Sequence, residues 1–172
     1  MNNRDNDLEQ TIEKYGNLIF KTCFIMLRNK HDAEDVAQET FYKYMISDRA
    51  FAAEEHKKAW LLRVSQNKCK DMLRFNKVHS YISYEDVEEN FVVHQDVESE
   101  DIEDILRVSN LSYDYKSVVM LYYFEGYSIN EVADILNISS TAVRKRLQRA
   151  REKLKIVYEK ISEKGAEPYE SR

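Results

Sequence analysis

Apolar residues recur at helical spacing along most of the first half of the chain. Over residues 8–27 they fall three or four positions apart, which is typical of one face of an α-helix. A second helix is predicted over 32–46, with Asp32 as a suitable N-cap residue. A polar stretch over 47–55 separates it from a third predicted helix over 56–75. The first part of the chain is therefore expected to be a small helical domain.

The last third of the chain shows the same spacing, with clear signals for where helices begin and end. An apolar-rich helix is predicted over 113–124, and Gly126 follows it where a helix end favours a left-handed residue. Residues 128–131 (SINE) form a capping-box pattern that opens a short helix. A turn over 138–140 then leads into a final helix over 140–158, so that two short-linked helices are predicted.

The composition favours an all-α fold. The 172 residues include three glycines and one proline, whereas β-rich folds and phosphate-binding loops use glycine heavily. We expect two small helical domains joined by an acidic linker. The expected bounds are 1–77 for the N-terminal domain, 78–104 for the linker and 105–172 for a C-terminal helix-turn-helix domain.

Charge is distributed unevenly, and this matters more than the formal net charge of −5. Residues 57–77 contain seven Lys or Arg and one acid, and residues 137–155 contain the same numbers. Residues 78–104 contain ten acids and no Lys or Arg. Local basic patches of this kind are typical of nucleic-acid binding. The acidic segment fits either a solvated, disordered tether or a strip that covers a basic surface while the protein is idle.

The last predicted helix has one apolar stripe and one strongly basic face. The stripe expected to pack on the preceding helix consists of Val143, Leu147, Ala150 and Leu154. The residues that point away from it are Thr141, Arg144, Lys145, Gln148 and Arg149, with Arg146 and Arg151 on the flanks. A short helix, a tight turn and a second helix that begins with polar and basic residues suit the DNA major groove. A solvated basic helix is the alternative.

The third predicted helix also has two distinct faces. Its expected buried stripe consists of Leu61, Leu62, Ser65, Cys69, Met72 and Leu73. The opposite face carries Trp60, Arg63, Asn67, Lys70, Asp71 and Arg74, with Lys68 and Phe75 at its edge. Cations beside aromatic rings suit unpaired nucleic acid, because bases stack on the rings and phosphates attract the cations. Packing of Trp60 against the first helix is an equal alternative.

The second predicted helix presents acids together with large apolar groups. Its expected core face consists of Ala33, Val36, Ala37, Phe41 and Tyr44. The opposite face carries Glu34, Asp35, Gln38, Glu39, Tyr42 and Met45. Such a mixture suits a docking surface for a basic protein partner, while a solvated face would have a similar composition.

Other classes of function find no support in the sequence. No nucleophile has a recognisable base beside it, so the chain is not expected to be an enzyme. Cys23 and Cys69 are isolated and are expected to be reduced core thiols, and the four histidines lack metal-ligand spacing. We therefore expect no metal and no cofactor. The sequence shows no signal peptide and no apolar run of about 18 residues, which predicts a cytoplasmic protein without membrane insertion of its own.

Four segments together resemble the extracytoplasmic-function (ECF) subfamily of bacterial RNA polymerase sigma factors, within the sigma-70 family. Residues 32–41 (DAEDVAQETF) resemble the helix that docks on the polymerase. Residues 60–64 (WLLRV), with Asn67, Asp71 and Arg74 after them, resemble the promoter-melting helix. Residues 111–124 resemble the helix that opens the C-terminal domain, and 143–151 (VRKRLQRAR) resemble the recognition helix. The order of these segments along the chain is also that of the family.

The resemblance implies promoter-specific transcription initiation with core RNA polymerase and promoter DNA as partners. The residues implied in polymerase docking, on the clamp helices of the largest subunit, are Asp35, Gln38, Glu39, Tyr42 and Met45. Those implied in −10 recognition, together with the 47–55 loop, are Trp60, Arg63, Asn67, Lys68, Lys70 and Arg74. Those implied in −35 recognition are Ser139, Ser140, Thr141, Arg144, Lys145, Arg146, Gln148 and Arg149. An anti-sigma partner is expected by resemblance only, and so is a path of the acidic linker near the polymerase's active-site and RNA-exit channels.

The sequence departs from the family pattern at three places. Ser112 stands where a proline is usual, the turn often written Ile-Pro-x-Gly-Thr is ISSTA at 138–142, and the 47–55 loop is unusual in composition. The −35 preference and the captured −10 base are therefore not assigned. Two rival functions are a helix-turn-helix regulator that binds duplex DNA without polymerase, and an all-α adaptor. The regulator does not need the 32–41 helix, and the adaptor should show no salt-dependent affinity for DNA.

Overall fold

The computed structural model describes residues 3–47, 49–79, 106 and 109–165, with side chains described as far as residue 155. Within these ranges the regular elements are all helical, and no strand occurs. The chain divides into two compact units. The all-α fold with two helical units, expected from the low glycine content and the helical periodicity, is thus confirmed.

The first unit is built on three helices, α1 (Asn3–Leu27), α2 (Lys30–Ile46) and α3 (Glu54–His79). Their packed faces bury a core in which the fully enclosed side chains include Ile19 of α1, Val36 of α2 and Leu61 of α3. Each helix lies where its periodicity predicted it. Both α1 and α3 begin earlier than expected, and α3 also ends later, so that residues 78 and 79, assigned to the linker, are helical.

The start of α2 differs from the prediction. Asn29, and not Asp32, is the N-cap: its side-chain oxygen accepts a hydrogen bond from the Asp32 backbone N–H at 3.0 Å. Asp32 lies in the first helical turn, where a carboxylate is favoured by the helix dipole. The preceding residue, Arg28, has a φ of 58°, which reverses the chain direction after α1.

The predicted stripes are largely those that the structure buries. On α2, all five expected core residues are buried, and Thr40 joins them. On α3, Leu61, Leu62, Ser65 and Cys69 are buried as expected, together with Val64 and Gln66. Met72 and Leu73 are only half-buried, which corrects their assignment to the core.

The second unit contains α4 (Tyr113–Val119), a π-helix (Met120–Phe124), the first five residues of α5 (Ile129–Leu136) and α6 (Ser140–Gly165). The single α-helix expected over 113–124 is therefore an α-helix that widens into a π-helix. The change is marked by the bond from the Glu125 N–H to the Met120 carbonyl at 3.1 Å, which spans five residues.

The turns of the second unit follow the local sequence signals. Gly126 has a φ of 70°, in the left-handed region that favours glycine. In the capping box, the Glu131 N–H donates to Ser128 Oγ at 3.3 Å, and the Ser128 N–H donates to Glu131 Oε2 at 2.8 Å. Asn137, with a φ of 54°, ends α5. These contacts confirm the predicted opening of α5.

Most of the predicted linker, 80–104, lies outside the described residues. Within the described ranges, no helix has the length and apolar character needed to cross a membrane.

Candidate functional site

The start of α6 is fixed by two serines of the preceding turn. Ser139 Oγ accepts a hydrogen bond from the Ala142 N–H at 3.1 Å and so caps the helix. Ser140 Oγ donates to Asn130 Oδ1 on α5 at 2.8 Å. Below them Val143 and Leu147 are almost completely buried, as the apolar stripe predicted. The two short-linked helices therefore have the geometry of a helix-turn-helix.

Most residues predicted to face DNA on α6 are exposed. The exposed set consists of Thr141, Arg144, Lys145, Gln148 and Arg149. Arg146 is different, because its guanidinium lies 3.3 Å from an Asp114 carboxylate oxygen and its side chain is largely covered. Arg151 donates through Nε to the Tyr123 hydroxyl at 2.5 Å. The two flanking arginines are thus held against the unit's own helices, a pairing that periodicity alone could not indicate.

The polar face of α2 is exposed along its whole length. Asp35, Gln38, Glu39, Tyr42 and Met45 are all exposed, and Tyr42 reaches 60%. Ile46, which was not predicted to belong to this surface, is 59% exposed and lies four residues beyond Tyr42 on the same face. Its helical spacing from Tyr42 was the available signal. The face therefore ends in an apolar patch of three large side chains.

Trp60 packs with aromatic rings from α2 and from the 47–53 loop that precedes α3. Its ring centroid lies 6.1 Å from that of Tyr44 and 5.8 Å from that of Phe51. The described ring contacts of Trp60 are thus with the second helix and the loop, whereas packing on the first helix was the alternative expected from the sequence. Trp60 is nevertheless only half-buried, so part of the ring is accessible.

A cleft of about 520 Å³ lies beside Trp60 in the first unit. Arg63 and Asn67 line it and are exposed, and Lys68 lines it half-buried. Arg74 is exposed further along α3 and does not line the cleft, and Lys70 is half-buried. The other lining residues are Lys43, Ile46, Ser47, Arg49, Val64 and Asp71. The structure thus brings four of the six predicted −10 residues to one cleft.

Two of the predicted surfaces are joined by an ion pair. Lys68 Nζ on α3 lies 2.5 Å from Glu39 Oε2 on α2. Nearer the start of α2, His31 Nδ1 lies 3.3 Å from Asp35 Oδ2, one helical turn away. Glu39, on the exposed face of α2, therefore contacts a residue that lines the cleft beside α3.

A network of charges at the base of the 47–53 loop was not predicted. Lys57 Nζ lies 3.2 Å from Asp7 Oδ1 and 3.1 Å from Glu54 Oε1. Glu54 also accepts hydrogen bonds from Lys14 at 2.9 Å and from the Tyr15 hydroxyl at 3.0 Å. The hydrogen bonds with Lys14, Lys57 and Tyr15, in decreasing order of effect, lower the pKa of Glu54 to about 2. These partners are up to 50 residues apart, so no local pattern could have indicated them.

The cysteines behave as buried thiols. Cys23 and Cys69 are free and fully buried. A hydrogen bond between the two thiols, together with burial, raises the pKa of Cys69. Within the described ranges, no group of three or more His, Cys, Asp or Glu side chains is placed to hold a metal ion.

Two models of known families match the chain. The model described as Sigma-70 region 2 matches residues 11–78, and the model described as Sigma-70, region 4 matches residues 105–154. The ECF RNA polymerase sigma factor SigW of Bacillus subtilis is 30% identical over 158 residues, which is 84% of each chain. The ECF RNA polymerase sigma factor SigM of the same organism is 29% identical, over 88% of this chain and 94% of that protein.

Solved structures share the fold. CnrH, in complex with the cytosolic domain of CnrY, aligns with a TM-score of 0.61 and 23% identity, over 90% of this chain and 89% of that one. The sigma factor RpoE, in complex with the anti-sigma factor NepR from Bartonella quintana, aligns with a TM-score of 0.67 and 21% identity, over 89% and 97%.

Proposed function

Because the chain belongs to the ECF family of RNA polymerase sigma factors, which bind core RNA polymerase and direct it to promoters, we propose that three of its surfaces share this task. The exposed face of α2 docks on polymerase, the 47–53 loop and α3 hold the opened −10 strand, and the start of α6 enters the −35 element. The observation that carries the assignment is the exposed basic face of α6, opposite its buried stripe.

The polymerase-docking surface comprises Asp35, Gln38, Glu39, Tyr42 and Met45. Its carboxylates favour a basic partner, and the large side chains at its end supply area to bury. We add Ile46 to this surface, because it extends the same exposed stripe. A surface that combines apolar area to bury with charges that select the partner suits a specific protein contact.

The −10 surface is the cleft beside α3 together with the part of α3 beyond it that carries Lys70 and Arg74. Arg63, Lys68, Lys70 and Arg74 supply cations for phosphates, and Asn67 can bond to a base edge. Trp60 contributes a partly accessible ring that its two aromatic neighbours hold in place. We therefore place the unpaired strand along this face of α3.

The −35 surface is the start of α6. Arg144 and Lys145 can donate to guanine edges in the major groove, and Thr141, Gln148 and Arg149 lie on the same exposed face. Ser139 and Ser140 lie at the helix start, where backbone N–H groups favour a phosphate. Arg146, fixed by Asp114, is proposed as a phosphate contact at the flank.

The acidic linker and an anti-sigma partner complete the proposed function. Residues 78–104, with their ten acids, join the two units as a linker and approach polymerase surfaces built for nucleic acid. An anti-sigma protein holds the chain inactive. Support comes from the two solved relatives, of which one is bound to the cytosolic domain of CnrY and the other to the anti-sigma factor NepR.

Polymerase capture tests the docking surface. Asp35→Ala combined with Glu39→Ala should sharply weaken retention of the chain by core RNA polymerase, because two exposed carboxylates of the surface are lost. Glu9→Ala combined with Glu13→Ala, on the exposed side of α1, is the matched control and should leave retention unchanged. Equal retention of the unsubstituted chain and both double variants would refute the assigned docking surface.

Salt dependence tests DNA binding. Several phosphate contacts should give a steep fall of log affinity with log salt concentration, with a slope of about −0.9 per contact on duplex DNA. A flat dependence would favour the adaptor function instead. Mapping the RNAs that the protein starts in vitro with core polymerase then identifies its promoters.

A further inference from the structure

Lys57, on the first turn of α3, is the centre of a network that joins all three helices of the first unit. Its side chain is only 13% exposed and its ammonium contacts the carboxylates of Asp7 and Glu54. It also lies 3.5 Å from Thr11 Oγ1 and 5.7 Å from the centroid of the Tyr44 ring. Burial opposes the charge of Lys57, but hydrogen bonds with Glu54, Tyr44 and Asp7 outweigh it and raise the pKa. The lysine is therefore a charged group held on several sides.

The same network holds both neighbours of the 47–53 loop. Tyr44, in the last turn of α2, donates its hydroxyl proton to Asp7 Oδ2 at 2.5 Å. Its ring stacks on Phe51 of the loop, with centroids 6.2 Å apart. Glu54, the first residue of α3, accepts hydrogen bonds from Lys14 and Tyr15 of α1. The anchors of the loop are thus tied to the first half of α1.

The loop has few backbone bonds of its own in the described part of the chain. Ser47 is tied to α2 through its N–H and hydroxyl, and the Ala53 carbonyl accepts from the N–H groups of His56 and Lys57. These bonds fix the ends of the loop and leave the stretch 49–52 to be placed by side chains. Phe51, against Tyr44 and Trp60, is the described side chain that does so through ring contacts.

We propose that Asp7, Glu54 and Lys57 are positioning residues that set the base selectivity of the −10 contact. Asp7 and Lys57 lie outside the docking and −10 segments named from the sequence, and Asp7 also precedes the segment matched by the region 2 model. Glu54 lies near the end of the 47–55 stretch and is the first residue of α3. They act by fixing Tyr44 and the start of α3, which in turn place Phe51 and the loop. The inference depends on the proposed role of the loop in holding the opened −10 strand.

Discrimination among bases at the −10 element depends on how closely the loop is held in position. A site selects one base over another when its contacts suit the right base and leave the wrong one poorly paired. A loop that moves by about 1 Å loses that difference, because hydrogen bonds and ring contacts depend steeply on position. Loosening the network should therefore lower the preference among bases more than it lowers the affinity for polymerase.

The test is transcription in vitro from a promoter library randomised over the −10 element, with core polymerase and the full chain, read by sequencing the RNA. Lys57→Met keeps the length of the stem and removes the charge, and should flatten the preference at one or more −10 positions by roughly tenfold. The −35 preference and polymerase retention should stay as in the unsubstituted protein. Lys57→Arg should restore much of the selectivity.

Two other variants complete the experiment, one as a milder change in the network and one as a remote control. Tyr44→Phe keeps the ring and removes the hydroxyl with its hydrogen bonds to Asp7 and Lys57. It should lower selectivity by a smaller factor, and it tests the network independently if Lys57→Met does not fold. Lys30→Gln removes an ion pair with Glu34, 3.8 Å away at the start of α2 and remote from the loop, and should change nothing.

Uniform loss of transcription with unchanged base preferences would mean that the network serves only stability, and would overturn the inference. Unchanged transcription and preferences in both Lys57→Met and Tyr44→Phe would overturn it as well. The unsubstituted protein is the control for the proposed function. If it starts no promoter-specific RNA, the proposed function itself is wrong; if it does and the variants keep its base preferences, only the positioning role is wrong.

Discussion

Lys68 on α3 and Glu39 on α2 form an ion pair, with Nζ and Oε2 2.5 Å apart. The carboxylate belongs to the surface proposed for polymerase, and the ammonium belongs to the surface proposed for the −10 strand. If both proposed surfaces are used, polymerase and the −10 strand would therefore compete for these charges. A basic group of the polymerase that takes Glu39 would leave Lys68 available to a phosphate.

Glu39→Gln should strengthen the binding of single-stranded −10 DNA in the absence of polymerase. The gain should be about two- to fivefold at low salt, since a partly exposed ion pair is worth up to about 1 kcal/mol. Fluorescence anisotropy with a labelled oligonucleotide measures it. Glu34→Gln removes the same charge five residues earlier on α2, where the partner is Lys30. An equal gain there would show that net charge, and not the ion pair with Lys68, is responsible.

Arg144→Ala and Arg146→Ala should have different effects on −35 DNA. Arg144 is exposed on the proposed reading face, so its loss should cost about 1–3 kcal/mol and relax the preference at one base pair. Arg146 is paired with Asp114, so its loss should weaken binding equally across sequences and lower the stability of the second unit. Binding to a set of single-base variants separates the two. A uniform loss for Arg144→Ala would make it a phosphate contact.

Ser128→Ala should destabilise α5 by about 0.5–2 kcal/mol, because the hydroxyl that accepts the Glu131 N–H is lost. Hydrogen exchange of the α5 amides measures the change. Ser112→Ala is a close control, since Ser112 is the N-cap of α4 but makes no side-chain cap hydrogen bond. Comparable losses of protection in the two helices would contradict the capping role.

Gln66→Met should stabilise the first unit by about 1–3 kcal/mol. The Gln66 side chain is fully buried, and neither its nitrogen nor its oxygen has a hydrogen-bond partner in the described structure. Urea unfolding followed by the fluorescence of Trp60, the single tryptophan, measures this. Ser65→Ala, which removes a hydroxyl that donates to the Leu62 carbonyl, should not stabilise. A destabilised Gln66→Met protein would indicate that the amide is satisfied by a buried water.

The stability conferred by Glu54 should depend on pH in the acid range. Its pKa falls from an ordinary value of 4.5 to about 2 in the folded chain. A lowered pKa means that the contribution is fully present above pH 4.5 and is lost as the pH falls toward 2. The unfolding free energy of Glu54→Gln should therefore approach that of the unsubstituted protein in this window. A gap that is independent of pH would show that the carboxylate charge is not the cause.

The helices of both units could be predicted from sequence because their signals are local. Apolar spacing, the Ser128 capping box and the glycine at 126 each act within a few residues, and each is found as predicted. The start of α2 was misplaced because Asn29 and Asp32 are both good N-cap residues. Asn29 is the one whose oxygen reaches an N–H three residues ahead.

Contacts between helices could not be predicted in the same way. The exposed residues of the α6 face followed from helical spacing, but the pairing of Arg146 with Asp114 depends on how α4 and α6 pack. The ties from Lys57 to Asp7 and Glu54 similarly depend on tertiary structure. A single sequence holds no distance information across such separations, so the network became visible only in three dimensions.

The π-helix at Met120–Phe124 adds one residue to a turn that would otherwise continue α4. Each residue of an α-helix advances the chain by about 100° around the axis. The wider turn takes up this extra residue, because its bonds span five residues where α-helical bonds span four. A deletion of one residue within this segment should therefore restore regular α-helical bonding and leave the direction of Gly126 and the residues after it nearly unchanged. The same deletion in a regular α-helix would rotate everything after it by about 100°. The π-helix is thus the place in the second unit where the loss of one residue should be tolerated.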